Sequence, residues 1–183
     1  MNVAQKLERF YKENGVSDEG GIYERTFTMN VFGISVKLPN PKFRKEITYI
    51  HDIQHILFDC DTSWKGEGFI SGWEIATGMW KHFPICFFSI WAMGYSLWLY
   101  PKEVYRGFIK GGCYSGIIDL KISKSDIMKM PLERLNQISL KDQNKEAKYV
   151  SLFKFLFWIL VSQFVFLFPL IMLVLFTIGY IEQ

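Results

Sequence analysis

His51-Asp52-Ile53-Gln54-His55 sets two histidines four residues apart with a carboxylate beside the first, and Glu67 follows after eleven intervening residues. Two neutral imidazoles with one or two carboxylates suit Zn²⁺, Fe²⁺ or Mn²⁺ and leave a coordination position for water or substrate. If residues 41–58 form a helix, His51 and His55 lie about 40° apart around its axis, and Asp52 about 60° beyond His55. Three metal-competent side chains then project from one side of one helix. Glu67 joins them if the chain turns back after Asp59. The plain alternative is a pair of hydrogen-bonded core histidines, a frequent use of this spacing on a half-apolar helix.

The elements that must position these residues follow from local pattern. Residues 2–13 carry an apolar stripe, Val3, Leu7, Phe10 and Tyr11, ahead of Gly15, and read as a short helix. From Tyr23 to Leu38 the period changes to two, with Asn30 to Gly33 as the turn of a two-stranded hairpin. Pro39-Asn40-Pro41 ends it. Asn40 is expected to cap the motif helix and Pro41 to be its first residue, since the missing N–H would have had no partner there. Ile47 and Phe58 share the side of His51 and His55, which is therefore expected to face the interior.

Asp59 to Ser63 is polar turn material. A second helix is expected from Trp64 to about Trp80, with Glu67 in its first turn, where the helix dipole favours a carboxylate, and with Trp73 and Glu74 two turns further on. Gly66, Gly68, Gly72 and Gly78 fall within it. Glycine costs roughly 1 kcal/mol per helix position relative to alanine, so this density points to close approach of another helix or of a ligand. Residues 83–100 are free of charge and rich in Trp and Tyr, and read as a buried or interfacial helix in preference to a full span. Residues 101–118 read as mixed helix and loop. Asp126 to Ile138 suggests one more short amphipathic helix, and 141–148 a polar linker.

Residues 155–181 form the longest apolar run, twenty-seven residues without a charge. At 1.5 Å per residue they reach about 40 Å, enough to span a bilayer with some tilt. Lys141, Lys145, Lys148 and Lys154 precede the run and only Glu182 and Gln183 follow, so the positive-inside rule places the N-terminal part in the cytoplasm or its equivalent side. The expected fold class is mainly α: a helical metal-binding domain over 1–150 with a small N-terminal β-hairpin, then a C-terminal membrane anchor over 151–183.

Composition removes other classes. The net charge of +3 is spread out with no basic stripe, which argues against nucleic-acid binding. Cys60, Cys86 and Cys113 form no C-x-x-C pair, which argues against a disulfide framework and a thiolate zinc site. The N-terminus has no apolar run of the secretory type. Asp52 stands where a zincin helix needs glutamate. Only His82 remains for a His-Asp phosphohydrolase, and no Glu-x-x-His pair supports a di-iron bundle. The glycines of 101–118 lack the frame of a phosphate loop.

The whole constellation, H-D-x-x-H followed by Glu67 within Gly66-Glu67, resembles the metal motif of the coenzyme Q biosynthesis protein 4 family. Val36-Lys37-Leu38-Pro39-Asn40 with Arg44, Asp61-Thr62-Ser63, Ser71-Gly72-Trp73-Glu74, Tyr105-Arg106-Gly107 and Met130-Pro131-Leu132-Glu133-Arg134-Leu135 extend the resemblance over about residues 20–140, in the manner of a short bacterial-type member. The resemblance implies that His51, Asp52, His55 and Glu67 are metal ligands and act in catalysis through one divalent metal, zinc, iron or manganese. It implies a helical fold and oxidative decarboxylation, with hydroxylation at C1, of a polyprenylated hydroxybenzoate ring. The implied partners are a prenylated or alkylated lipid, the membrane, other quinone-biosynthesis enzymes and a second copy of the chain. The alternative reading is a non-catalytic, isoprenoid-binding scaffold with a structural metal. The short chain and the C-terminal span depart from the better-known, peripheral members.

Overall fold

The computed structural model describes residues 1–141 and 148–181. The inner part of the expected linker, 142–147, and the tail residues Glu182 and Gln183 lie outside the described residues. The chain is mainly α, with one two-stranded hairpin and one long C-terminal apolar helix. In order the elements are α1 (Val3–Asn14), the single turn α2 (Asp18–Gly21), β1 (Thr26–Val31), β2 (Ile34–Pro39), α3 (Lys42–Phe58), α4 (Trp64–Thr77), α5 (Cys86–Leu99), α6 (Pro101–Gly111), α7 (Lys124–Lys129), α8 (Leu132–Ser139) and α9 (Lys148–Ile181). They group into two compact units, 1–62 with 117–139, and 63–116 with 140–183.

In the first unit, α1 opens with a capping box: Asn2 accepts from the Gln5 N–H, and the Gln5 side chain accepts from the Asn2 N–H. Its stripe of Val3, Leu7, Phe10 and Tyr11 is buried, and α1 packs on α3 and α7. The hairpin pairs Thr26 with Pro39 through Val31 with Ile34, and Phe32 and Gly33 make the turn with positive φ at both positions. Two left-handed residues give the turn the same hand of twist as the strands they join.

Two local expectations need correction. Asn40 does not cap α3. Pro41 occupies the N-cap position without a side-chain hydrogen bond, and α3 begins at Lys42. Asn40 is buried and works as a tie: its amide donates to the Gly21 and Glu24 carbonyls, and its Oδ1 accepts from Arg44. The chain between Asp126 and Ile138 is two helices, α7 and α8, broken at Met130–Pro131. Pro131 disfavours a helical conformation at the preceding residue, and Met130 sits at φ −77°, ψ 154°. The extended Met130 carbonyl accepts from the Val3 N–H at 3.0 Å.

The second unit holds α4, α5, α6 and α9. Its core is Ile75, Cys86, Ile90, Met93, Val104, Phe108 and Phe155. α4 ends at Thr77, not Trp80, because Gly78 takes a left-handed φ of 108° and returns its N–H to the Glu74 and Ile75 carbonyls. Gly72 is explained by α6, and Gly68 faces both α5 and α6, through Ser96 and Val104. Gly68 and Gly72 on α4, and Gly107 and Gly111 on α6, are each spaced i, i+4 and so share a face of their helix. A Cβ at Gly107 would collide with the Phe69 backbone carbonyl, and one at Gly72 with the Val104 carbonyl. The glycines let two helix backbones touch. Residues 101–118 accordingly begin with a true helix, α6, whose first residue is Pro101.

α9 contains the stretch Leu152–Tyr180, long and apolar enough by length and composition to cross a membrane. Only 12% of its most apolar window is buried, whereas the core helix of a soluble protein is mostly covered.

Candidate metal centre

α3 carries the two histidines one turn apart, as the i, i+4 spacing requires. His55 is 1% exposed and His51 half-buried. Their Nε2 atoms lie 3.2 Å apart. Two nitrogens bound to one tetrahedral metal at about 2.1 Å each are separated by roughly 3.4 Å, so the pair already has the spacing of two ligands.

The end of α3 sets the chemistry of His55. Asp59 takes the left-handed cap conformation at φ 53°, and the N–H groups of Asp59 and Cys60 return to the His55 carbonyl. This reversal brings the Cys60 carbonyl to 3.3 Å from His55 Nδ1. A carbonyl can only accept, so Nδ1 is the donor in this contact and Nε2 is the nitrogen that faces His51. A backbone acceptor on the far nitrogen is the usual way a ligating imidazole is held in one tautomer and orientation. Phe10 stacks on the His55 ring at 5.7 Å and 28°, which restrains the ring further and dries its surroundings.

Glu67 sits in the first turn of α4, half-buried. Ser63 caps that helix by accepting from the Lys65 N–H, and its carbonyl accepts the Glu67 N–H at 2.8 Å. His51, His55 and Glu67 each offer one ligand atom, and these atoms lie within 4.8 Å of one another. The donor set therefore fits a divalent cation: two imidazole nitrogens at ligand spacing and a carboxylate on a flexible side chain able to close the remaining distance.

Asp52 is not in that group. Its Oδ2 accepts from the Tyr11 hydroxyl at 2.8 Å, and the 18–24 loop covers it. A Cβ at Gly20 would meet Asp52 Oδ2 at 2.7 Å and Thr48 Cγ2 at 2.8 Å. Burial raises the Tyr11 phenol well above its ordinary range, and the Asp52 charge raises it further. Tyr11 therefore stays a neutral donor to the carboxylate. Tyr11→Phe removes this hydrogen bond to a charged acceptor and is expected to cost about 1–3 kcal/mol. Chemical denaturation reads this loss, and metal content at the wild-type level in the same variant would show that the Tyr11 hydroxyl is not needed to hold the cation.

The other flagged polar residues lie elsewhere. Glu74 is buried in the second unit, where Ser89 donates to its carboxylate at 2.6 Å. His82 follows the short 3₁₀ turn Met79–Lys81. The sequence reading missed three participants: Tyr11, Phe10 and the Cys60 carbonyl. Tyr11 and Phe10 were visible only as apolar-stripe positions, and a backbone carbonyl has no sequence signal. No family model, curated protein or solved structure matches the chain.

Proposed function

We propose that this chain is a membrane-anchored, metal-dependent protein of quinone or prenyl-lipid biosynthesis, acting in oxidative decarboxylation with C1 hydroxylation of a polyprenylated hydroxybenzoate ring. The observation that carries the reading is the convergence of His51, His55 and Glu67. The apolar helix Leu152–Tyr180 supports it, because a polyprenyl substrate resides in the bilayer and α9 would hold the site beside it. The H-D-x-x-H…Glu67 resemblance to the coenzyme Q biosynthesis protein 4 family supports the substrate class.

His51, His55 and Glu67 would hold the cation, with the Cys60 carbonyl orienting His55. With two imidazoles and one carboxylate as ligands, a redox-active divalent metal held there would supply the Lewis acidity and electron transfer that oxidation of a phenolic ring needs. Replacing the ring carboxyl with hydroxyl releases CO₂ and is a two-electron oxidation; it balances with water supplying the hydroxyl oxygen and dioxygen taking the two electrons and two protons as hydrogen peroxide. Fe²⁺ or Mn²⁺ fits this chemistry; Zn²⁺ has no redox activity. The near-complete burial of His55 favours the second reading, a scaffold with a structural metal, since structural sites are closed.

The test is elemental analysis of the detergent-purified chain beside His51→Ala/His55→Ala. About one iron or manganese per chain in the wild type, lost in the double variant, is the expected result. Stoichiometric zinc would move the assignment to the scaffold. No metal in either protein, with both equally stable, would reduce the motif to a hydrogen-bonded histidine pair and remove the proposal.

A further inference from the structure

α9 divides into two lengths. Its first part packs on the helices of its own unit: the Phe155 ring lies 5.1 and 5.0 Å from those of Tyr105 and Phe108, and the Phe166 ring 5.5 and 5.8 Å from those of Trp91 and Tyr95. Gly94 on α5 is the point of closest approach. A Cβ there would meet the Ser162 carbonyl oxygen at 2.5 Å and Phe166 Cβ at 2.7 Å. Gln163 closes the contact, with Nε2 donating to the Gly94 carbonyl at 2.9 Å and Oε1 accepting from the Trp98 indole at 2.7 Å.

Beyond Phe166 the apolar stretch has only residues 167–180, about 14 residues or roughly 21 Å. A hydrocarbon core is about 30 Å thick and takes about 20 helical residues. The uncharged run stops at Glu182, so a span of about 20 residues begins no later than about Ser162. The turn carrying Ser162, Gln163 and Phe166 then lies inside the hydrocarbon, and the part of α5 packed against it lies there too.

α5 is suited to that place. At 100° per residue, Phe87, Trp91, Gly94 and Trp98 form one stripe, with Phe88, Tyr95 and Leu99 beside it. α9 crosses the middle of this face. On either side of the crossing, Phe87 (51%), Phe88 (37%), Trp98 (61%) and Leu99 (43%) remain exposed. The face toward which α9 projects is thus apolar and aromatic along the length of α5, and residues 83–100 carry no charge. Aromatic side chains of this kind gather at membrane interfaces. The Gln163 amide and the Trp98 indole satisfy one another, as polar groups in hydrocarbon must.

We infer that α5 is a second membrane-embedded element, lying along one leaflet with its α9-facing side in lipid. Fourteen helical residues rise only about 21 Å, too short to cross, so α5 enters and leaves on the same side. The inference rests on reading α9 as a span.

Nitroxide labels at Phe87→Cys and Leu99→Cys, in full-length chain with the native cysteines replaced by alanine, test it in phosphatidylcholine vesicles. Phe176→Cys on α9 and Tyr23→Cys in the first unit serve as references. The expected oxygen-to-nickel-chelate collision ratio at 87 and 99 is several-fold above that at 23 and approaches that at 176. Aqueous values at 87 and 99 with a lipid value at 176 would overturn the inference while leaving the span intact. Low accessibility to both reagents at 87 and 99 would overturn it in favour of a second chain. An aqueous value at 176 would remove the span reading and this inference with it. Quenching of native tryptophan by bromolipid, reduced in Trp98→Phe, gives the same answer without the cysteine background, and absence of quenching overturns it.

Discussion

Gly107→Leu is expected to leave the second unit unable to pack α4 against α6. The clash is with the Phe69 backbone carbonyl, not with a side chain that could rotate away. Overpacking a well-packed core costs about 1–3 kcal/mol when neighbours can shift. Here the two helix axes must separate, which also uncovers Gly72 and Gly111 and the contact around Val104. A cost at or above the top of that range is expected, set against a total domain stability of about 5–15 kcal/mol. Thermal unfolding of the detergent-solubilised chain, followed by helical circular dichroism, reads the effect. Gly179→Ala is the control, since a Cβ there meets nothing within 4 Å. Unfolding of Gly107→Leu at the control temperature would show that α4 and α6 do not touch at their backbones.

Binding of a divalent metal through His51, His55 and Glu67 is expected to stabilise the chain, and chelation to reverse this. A ligand that binds the native state alone contributes about 2.7 kcal/mol at a hundred times its dissociation constant. The melting temperature should rise on adding Fe²⁺ or Mn²⁺ to the chelator-treated protein. His55→Ala should abolish the rise, because it removes the nitrogen already oriented by Cys60 and stacked on Phe10. Glu67→Gln should weaken it, because an amide oxygen carries no charge to offset that of the cation. Tyr11→Phe lowers stability by another route and should keep the metal-induced rise. An equal rise in wild type and His55→Ala would place the cation elsewhere on the protein.

Much of the candidate site could be read from the chain before its structure. Histidines at i and i+4 must share a side of any helix, and a second helix opening at Trp64 puts Glu67 in its first turn. The hairpin followed from alternation interrupted by Gly33, and the long apolar helix from 27 uncharged residues. These are local properties, settled by backbone geometry or by composition over a short window.

What the sequence alone could not decide was which partner each ambiguous residue takes. Asp52 lies about 60° around the helix from His55, and a carboxylate there can turn either way. The packing of α1 on α3 brings the Tyr11 hydroxyl, 41 residues away, onto its oxygen. Asn40 had the residue type of a cap and became a tie to Gly21 and Glu24 because the hairpin brings those carbonyls within its reach. The glycines of residues 66–78 announced a close approach without saying to what, and only the placement of α6 showed the partner of Gly72 to be another helix's backbone. Period, turn chemistry and helix spacing are fixed by neighbours a few residues away and were determined by the sequence itself. A hydrogen bond or a backbone contact between distant segments depends on how the helices pack, and that was decided only in the tertiary structure.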